Sequence, residues 1–246
     1  MAPQVIAHRG APREAPENTL SAFRIGWEQG ADAVELDVHL SKDQKLVVMH
    51  DYTTGRMAGG LDYKVADLTA DELRQFDLRW EGGATERIPL LEEVYPLVPT
   101  GKRLVIENKV GAGFIGAFGD LLRRGGIDRG QLAIIGFDFD AMKQAKAAFA
   151  DIEMLWLRQG PTRLKPQPPV EELVRMALGA GLDGLNLESS FPIDRAFVER
   201  VHAAGLKLYT WTVDDAEVAK AEAEAGVDAI TTNRPGWLRR QLGLGG

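Results

Sequence analysis

Short apolar runs alternate with amphipathic stretches along most of the chain. Residues 4–8, Gln4-Val5-Ile6-Ala7-His8, read as a buried strand. Residues 19–29 read as a helix: Leu20, Phe23 and Trp27 fall at helical spacing, Asn18 stands where a cap is needed, and Gly30 ends the run. Strands follow at 33–39, 46–50 and 102–109, the last reached through a helix over 90–97. Further strands are expected at 132–136, 153–157, 184–187, 206–212 and 228–231, separated by helices at 114–124, 139–149, 170–178, 194–204 and 216–225.

Alternating β and α segments imply a parallel sheet, either a closed barrel or an open doubly wound sheet. Two features favour an α/β fold of the (β/α)8 TIM-barrel type. Helix-ending glycines lead straight into strands in Gly30-Ala31-Asp32-Ala33, Gly181-Leu182-Asp183-Gly184 and Gly226-Val227-Asp228-Ala229, a quasi-repeat suited to units of similar length. The glycine fingerprint of dinucleotide-binding sheets is missing after the first strand. Nine strands compete for eight barrel positions, so one is surplus. Residues 40–45 are too few for a crossover helix, and the link between the second and third strands is expected to run back as extended chain. Residues 52–89 are polar and contain one good helix at 69–76, where Thr69 and Glu72 match a capping box. They read as a small insertion after the third strand, on the catalytic face of a single domain spanning 1–246. Residues 160–169, with four prolines, read as a loop over the same rim.

Composition narrows the options. The absence of cysteine removes disulfides, thiolate metal sites and a cysteine nucleophile. A net charge of −7 suits neither nonspecific nucleic-acid binding nor docking on anionic membranes. No apolar run approaches the roughly 18 residues of a membrane span, and residues 1–4 lead into the first strand without a signal-peptide pattern. A soluble cytoplasmic protein is expected, without stable membrane insertion and with no nucleic-acid partner.

In Val34-Glu35-Leu36-Asp37-Val38, the period of two turns both carboxylates to one side and the aliphatic residues to the other. A buried carboxylate pair needs compensation, either by a hard divalent ion or by a buried Lys or Arg, and the pair alone leaves both open. In Ile106-Glu107-Asn108-Lys109, Glu107 could complete a three-carboxylate site, and Lys109 could neutralise an anionic substrate or pair with a carboxylate. His8 and His50 end the first and third strands, on either side of the acidic strand. Histidine is the usual proton carrier near neutral pH. Arg9 adds a fork donor suited to phosphate, and Gly10 permits a tight turn. Trp211 either walls a pocket against a small alcohol or belongs to the core. His39, past its strand end, reads as a rim or solvent residue, and His202 as exposed. Glu188 and Asp138 have no partner legible from the sequence.

Several segments now fall into place together: His8-Arg9-Gly10, Pro16-Glu17-Asn18-Thr19, Glu35-Leu36-Asp37-Val38, Val47-Val48-Met49-His50-Asp51, Ile88-Pro89-Leu90-Leu91-Glu92-Glu93, Ile106-Glu107-Asn108-Lys109, Tyr209-Thr210-Trp211-Thr212-Val213 and Ile230-Thr231-Thr232-Asn233-Arg234-Pro235. In this order, over nearly the whole chain, they resemble the glycerophosphodiester phosphodiesterase family. The metal-site layout is also similar to that of phosphatidylinositol-specific phospholipase C barrels. The resemblance implies a TIM-type barrel and hydrolysis of small-molecule glycerophosphodiesters to sn-glycerol 3-phosphate and an alcohol. It implies one divalent ion, Mg2+ or Ca2+, on Glu35, Asp37 and Glu107. It also implies His8 and His50 as general acid and base in either order, and Arg9 and Lys109 as phosphate contacts. The chain departs from the family at Asn108 (commonly aliphatic), Gly136 (commonly serine), Asp214 (commonly asparagine) and in a shortened stretch after Asp51, which bears on substrate preference more than on the reaction.

The runner-up is a lysophospholipase D-type phosphodiesterase with the same catalytic set and a larger apolar lip; the polar insertion favours the soluble substrate. A non-catalytic barrel binding a phosphorylated ligand would be expected to lack one of the histidines or carboxylates. An aldolase or isomerase would need Lys109 as a Schiff base, yet Glu107 would hold it protonated. The oligomeric state stays open, a homo-oligomer included.

Overall fold

The computed structural model of the protein describes residues 2–78, 85–126, 128–161 and 167–245. Its strands are β1 (Gln4–Ala7), β2 (Ala33–Leu40), β3 (Leu46–Val48), β4 (Asp77–Leu78), β5 (Glu86–Arg87), β6 (Arg103–Asn108), β7 (Leu132–Gly136), β8 (Glu153–Arg158), β9 (Gly184–Glu188), β10 (Lys207–Trp211) and β11 (Ala229–Thr232). Strands β1, β2 and β6 to β11 pair in parallel in that order, and β11 pairs back onto β1. The result is a closed eight-stranded barrel with helices such as Leu20–Glu28, Gly113–Arg124 and Ala216–Ala225 packed outside it.

Strand parity sorts the core into two layers. Val34, Leu36, Val38, Leu104 and Ile106 face outward and join Phe23, Phe114 and Phe118 of the helices. Ile6, Ala33, Val105, Ile135, Leu155, Leu157 and Tyr209 fill the barrel interior. The quasi-repeat has a structural cause. Asp32, Asp183 and Asp228 each precede a strand, and each accepts the backbone N–H of a residue in the neighbouring strand: Val5 at 2.9 Å, Met154 at 2.7 Å and Leu208 at 2.7 Å. Each thus satisfies a backbone donor where a strand enters the barrel.

The surplus strand is β3, and its direction corrects the sequence reading. It runs antiparallel to β2, with Val38 opposite Val48 and Leu40 opposite Leu46. Residues 40–45 are therefore a hairpin turn instead of a return along the barrel: Ser41 N–H donates to Lys45 C=O at 3.0 Å, and Gln44 takes φ 62°. The hairpin rises above the rim, and β3 descends again until Met49 N–H donates to Asp37 C=O at 3.0 Å.

Beyond it, Val65, Ala70, Leu73, Leu78 and Ile88 pack on Val47 and Met49. The helix expected at 69–76 covers only Ala70–Leu73, with the Thr69–Glu72 capping box in place. It stops early because Asp77–Leu78 must extend to pair with Glu86–Arg87. The expected 90–97 helix is an α-turn, Leu91–Val94, followed by a 3-10 turn, Tyr95–Leu97. Of the proline-rich loop expected at 160–169, residues 162–166 lie outside the described residues.

Candidate active site

The register of β2 and β6 sets Asp37 beside Glu107, and parity puts Glu35 on the same inner face. Ligand atoms of Glu35, Asp37 and Glu107 lie within 4.8 Å of one another, all buried. Two cations reach them. Lys109 Nζ is 3.1 Å from Asp37 Oδ1 and 2.7 Å from Glu107 Oε1, and Arg9 Nε is 3.3 Å from Asp37 Oδ2. Glu35 has no ion-pair partner among the described residues; it accepts the Arg9 backbone N–H at 2.9 Å. That contact needs Arg9 at φ 54°, and Gly10 follows at φ 85°. A Cβ on Gly10 would meet the Ala22 backbone at 2.5 Å, so the turn after β1 requires glycine there.

The electrostatics follow from this crowding. Burial, then the Asp37 and Glu107 charges, hold the Glu35 carboxyl well above its ordinary range. Burial and Asp37 push Glu107 up to about 7. Burial acts on Asp37 too, but Lys109 and Arg9 outweigh it and keep that carboxyl low. The Arg9 guanidinium and the Lys109 ammonium thus serve Asp37 and Glu107 but leave the three-carboxylate cluster under-compensated. Asp37 Oδ1 and Glu107 Oε1 are buried, and the Lys109 ammonium that reaches both stands off the hydrogen-bonding geometry of either. Three converging carboxylate oxygens are the donor type a hard divalent cation takes, and the cluster fits such an ion.

Both histidines reach the same cavity. It holds about 220 Å³, and its lining includes His8, Arg9, Glu35, His50, Glu107 and Lys109, with Ile135, Phe137, Leu157 and Trp211 as apolar wall. His8 Nδ1 lies 2.8 Å from Asn233 Oδ1. Burial and the adjacent Arg9 lower its pKa to about 4, so the ring is neutral at pH 7. His50 Nδ1 bonds Asp51 Oδ1 at 2.7 Å. His50, Glu107, Lys109 and Phe137 also border a groove of about 430 Å³ that extends to Tyr52 and Asp138.

Other expectations divide. Trp211 is a wall residue, with its indole N–H donating to Asn186 C=O at 3.2 Å. His39 is buried, not a solvent histidine. The β2–β3 hairpin covers it, its Nε2 bonds the His50 carbonyl at 3.0 Å, and the Tyr52 ring packs edge-on at 4.8 Å. His202 is exposed and pairs with Asp228. Asp138 caps the helix Phe139–Ala148, and Glu188 accepts the Gly160 N–H at 2.5 Å. Asn18 is not the helix cap: Thr19 is, accepting from Ala22 N–H. Asn18 instead binds Asp37. Sequence reasoning also passed over Asp51, Glu17, Arg56 and Asn233. Arg56 donates to Asp51 at 2.5 Å and to Glu17 at 2.6 Å, and Glu17 in turn accepts from Arg9 at 3.0 Å. Asp51, Glu17 and Asn233 lie inside the segments quoted above, which was the available signal.

Fold and site together define a TIM-barrel enzyme with an acidic centre able to hold a metal. The model of the glycerophosphoryl diester phosphodiesterase family matches residues 8–237. A glycerophosphodiester phosphodiesterase of Caldanaerobacter subterraneus subsp. tengcongensis is 35% identical over 250 residues, covering 98% of each chain. The lysophospholipase D GDPD1 of Homo sapiens is 26% identical over 95% of this chain and 84% of its own. Among solved structures, an Oleispira antarctica phosphodiesterase in complex with the product sn-glycerol-3-phosphate superposes with a TM-score of 0.83 at 27% identity, covering 98% of this chain and 97% of that one. The chain belongs to the glycerophosphoryl diester phosphodiesterase family. Among the described residues no helix is long and apolar enough to cross a membrane.

Proposed function

We propose that the protein hydrolyses glycerophosphodiesters to sn-glycerol 3-phosphate and an alcohol, using a divalent ion on Glu35, Asp37 and Glu107 and proton exchange by His8 and His50. The observation that carries this reading is that Glu35 and Glu107 line the cavity both rings reach, with Asp37 buried against them and ligand-type oxygens of all three within 4.8 Å. A divalent ion, Mg2+ or Ca2+, held by Glu35, Asp37 and Glu107 would supply Lewis-acid polarisation of the phosphoryl group and offset the charge that develops in the transition state. Arg9 and Lys109 make the pocket cationic enough to hold a phosphodiester monoanion.

His8 is the proton acceptor, because its buried ring is neutral and its second nitrogen is free of Asn233. It takes the proton of the attacking oxygen, from water or from the neighbouring glycerol hydroxyl; the hydroxyl route gives a cyclic phosphate, which water then opens to glycerol 3-phosphate with the two rings exchanging roles. As the new P–O bond forms, the bond to the alcohol breaks, and His50 protonates the leaving oxygen. The groove beyond His50 gives that alcohol a way out, and Asp51 offers a counter-charge to the ring while it carries the proton. Trp211 and Phe137, edge to face at 5.7 Å, exclude water from one wall.

The test is release of glycerol 3-phosphate from a panel of glycerophosphodiesters, with chelator and then with Mg2+ or Ca2+ restored. Activity that survives chelation would remove the ion from the reaction, and no release from any member would end the reading.

A second reading has an observation in its favour. Tyr52, Leu61 and Tyr63 are 68%, 55% and 49% exposed on the segment 52–89, which we take as a small inserted subdomain of a single 1–246 domain. Such a lip could hold a single acyl chain, as a lysophospholipase D requires. Faster turnover of lysophosphatidylcholine than of glycerophosphocholine would establish it.

A further inference from the structure

Asp214 and Asn233 form a hydrogen-bonded pair behind His8 that the reaction above leaves without a task. Thr232 Oγ1 donates to Asp214 Oδ1 at 2.7 Å, the Asn233 backbone N–H donates to the same oxygen at 2.9 Å, and Asn233 Nδ2 donates to Oδ2 at 2.7 Å. Burial opposes ionisation of Asp214, but these donors outweigh it and hold the carboxyl below its ordinary range. A carboxylate only accepts, so the NH2 of Asn233 must face Asp214. The amide oxygen is then left for His8. That oxygen also only accepts, so the proton of the neutral ring sits on Nδ1.

We propose that Asp214 is a positioning residue that acts through Asn233 to fix His8 in its Nδ1–H tautomer, leaving Nε2 as the proton-accepting atom. The catalytic consequence rests on the reading of His8 as general base; the tautomer itself does not. Arg9 beside His8, Asp37 on β2 and Glu17 before the first helix act on the ring by charge. Glu35, His50, Glu107 and Lys109 line the same cavity. Among the described residues, only Asn233 hydrogen-bonds Nδ1, so it decides the tautomer.

Asp214→Asn has a consequence dictated by geometry. The two donors at Oδ1 keep the new amide's oxygen in place, so its NH2 faces Asn233. The Asn233 oxygen turns to meet it, and its own NH2 swings to His8 Nδ1. A donor there selects the Nε2–H tautomer and removes the base. We expect kcat/KM to fall by about 100-fold or more with KM little changed, an effect of the pairing with Asn233 and not of asparagine as such, which is common at this position in the family. The exchange variant Asp214→Asn/Asn233→Asp places a carboxylate oxygen at Nδ1 and restores the tautomer. It should recover activity to within roughly tenfold of the parent, with the acid limb of its pH profile moved upward because a carboxylate now touches the ring. A merely structural pair gives no reason for the second substitution to rescue the first.

Imidazole 15N shifts of the unmodified protein, with His8 assigned by its loss in His8→Gln, read the tautomer without any activity. They therefore separate failure of this proposal from failure of the hydrolytic reading, and they decide the matter if the exchange variant does not fold. Protonated Nδ1 supports the proposal; protonated Nε2 overturns it. Parental kcat/KM in Asp214→Asn, or a folded exchange variant no better than the single one, overturns it as well.

Discussion

Asn18 holds Asp37 at two points: its Nδ2 donates to Asp37 Oδ2 at 2.8 Å, and its Oδ1 accepts the Asp37 backbone N–H at 3.2 Å. The residue takes φ 59° to do so, a conformation asparagine tolerates better than most. This two-point contact fixes the carboxylate that also meets Arg9 and Lys109. Asn18→Gly keeps the left-handed backbone accessible and removes only the side chain. The divalent-ion concentration for half-maximal activity is expected to rise about 10- to 100-fold, as for other groups that orient a metal ligand. An unchanged ion titration would show that Asp37 needs no such support.

His8→Ala and His50→Ala should each lower turnover by at least roughly 100-fold, the scale of general acid–base catalysis. Far-UV circular dichroism should stay parental, since both rings line a cavity and do not fill the core. Parental turnover in either variant would remove that ring from the proton transfers.

Ion binding should release protons. Without the ion, Glu35 is held well above its ordinary range and Glu107 sits at about 7, so Glu107 carries a proton in most molecules below that pH. A bound cation requires the carboxylate forms and must displace those protons. Lower pH means more protons to displace, so affinity falls as pH drops through about 7. Calorimetric titration at pH 6 in buffers of different ionisation heat counts the protons; a count of zero would contradict the crowding of the acids.

Glu222 offers a stability test outside the cavity. It is 3% exposed; Thr210 Oγ1 donates to its Oε2 at 2.6 Å, and its Oε1 has no hydrogen-bond partner. Burial pushes its pKa to about 7 against the pull of Thr210. The folded value lies above the unfolded one of roughly 4.3, so this group's contribution is fully present below that pH and is lost as pH rises through about 7. The loss is on the order of 3 kcal/mol. Glu222→Gln removes this slope. Urea unfolding at pH 5 and pH 8 should show a flatter pH dependence for the variant, and parallel curves would refute the burial argument.

Much of the centre could be read from spacing alone. The alternation in Val34-Glu35-Leu36-Asp37-Val38 put both acids on the inner face, where they stand. Glu107 and Lys109 followed by the same parity. The direction of β3 could not be read, because a period of two is the same for a parallel and an antiparallel strand. The sequence shows His50 only at the end of a third strand; the structure shows that this strand descends from a hairpin. The burial of His39 is hidden from the sequence for the same reason, since it depends on that hairpin.

Local order along the chain thus set most of the elements, their inner and outer faces and the inward direction of Glu35, Asp37 and Glu107, since these depend on backbone geometry over a few residues. The pairing of Asn18 with Asp37, 19 positions apart, arises when β2 pairs beside β1, and that of His8 with Asn233, 225 positions apart, when β11 closes onto β1. Hydrogen-bond partners are chosen by that closure, because a polar side chain binds whatever complementary group the folded chain brings within about 3 Å, and one-dimensional spacing carries no such distance.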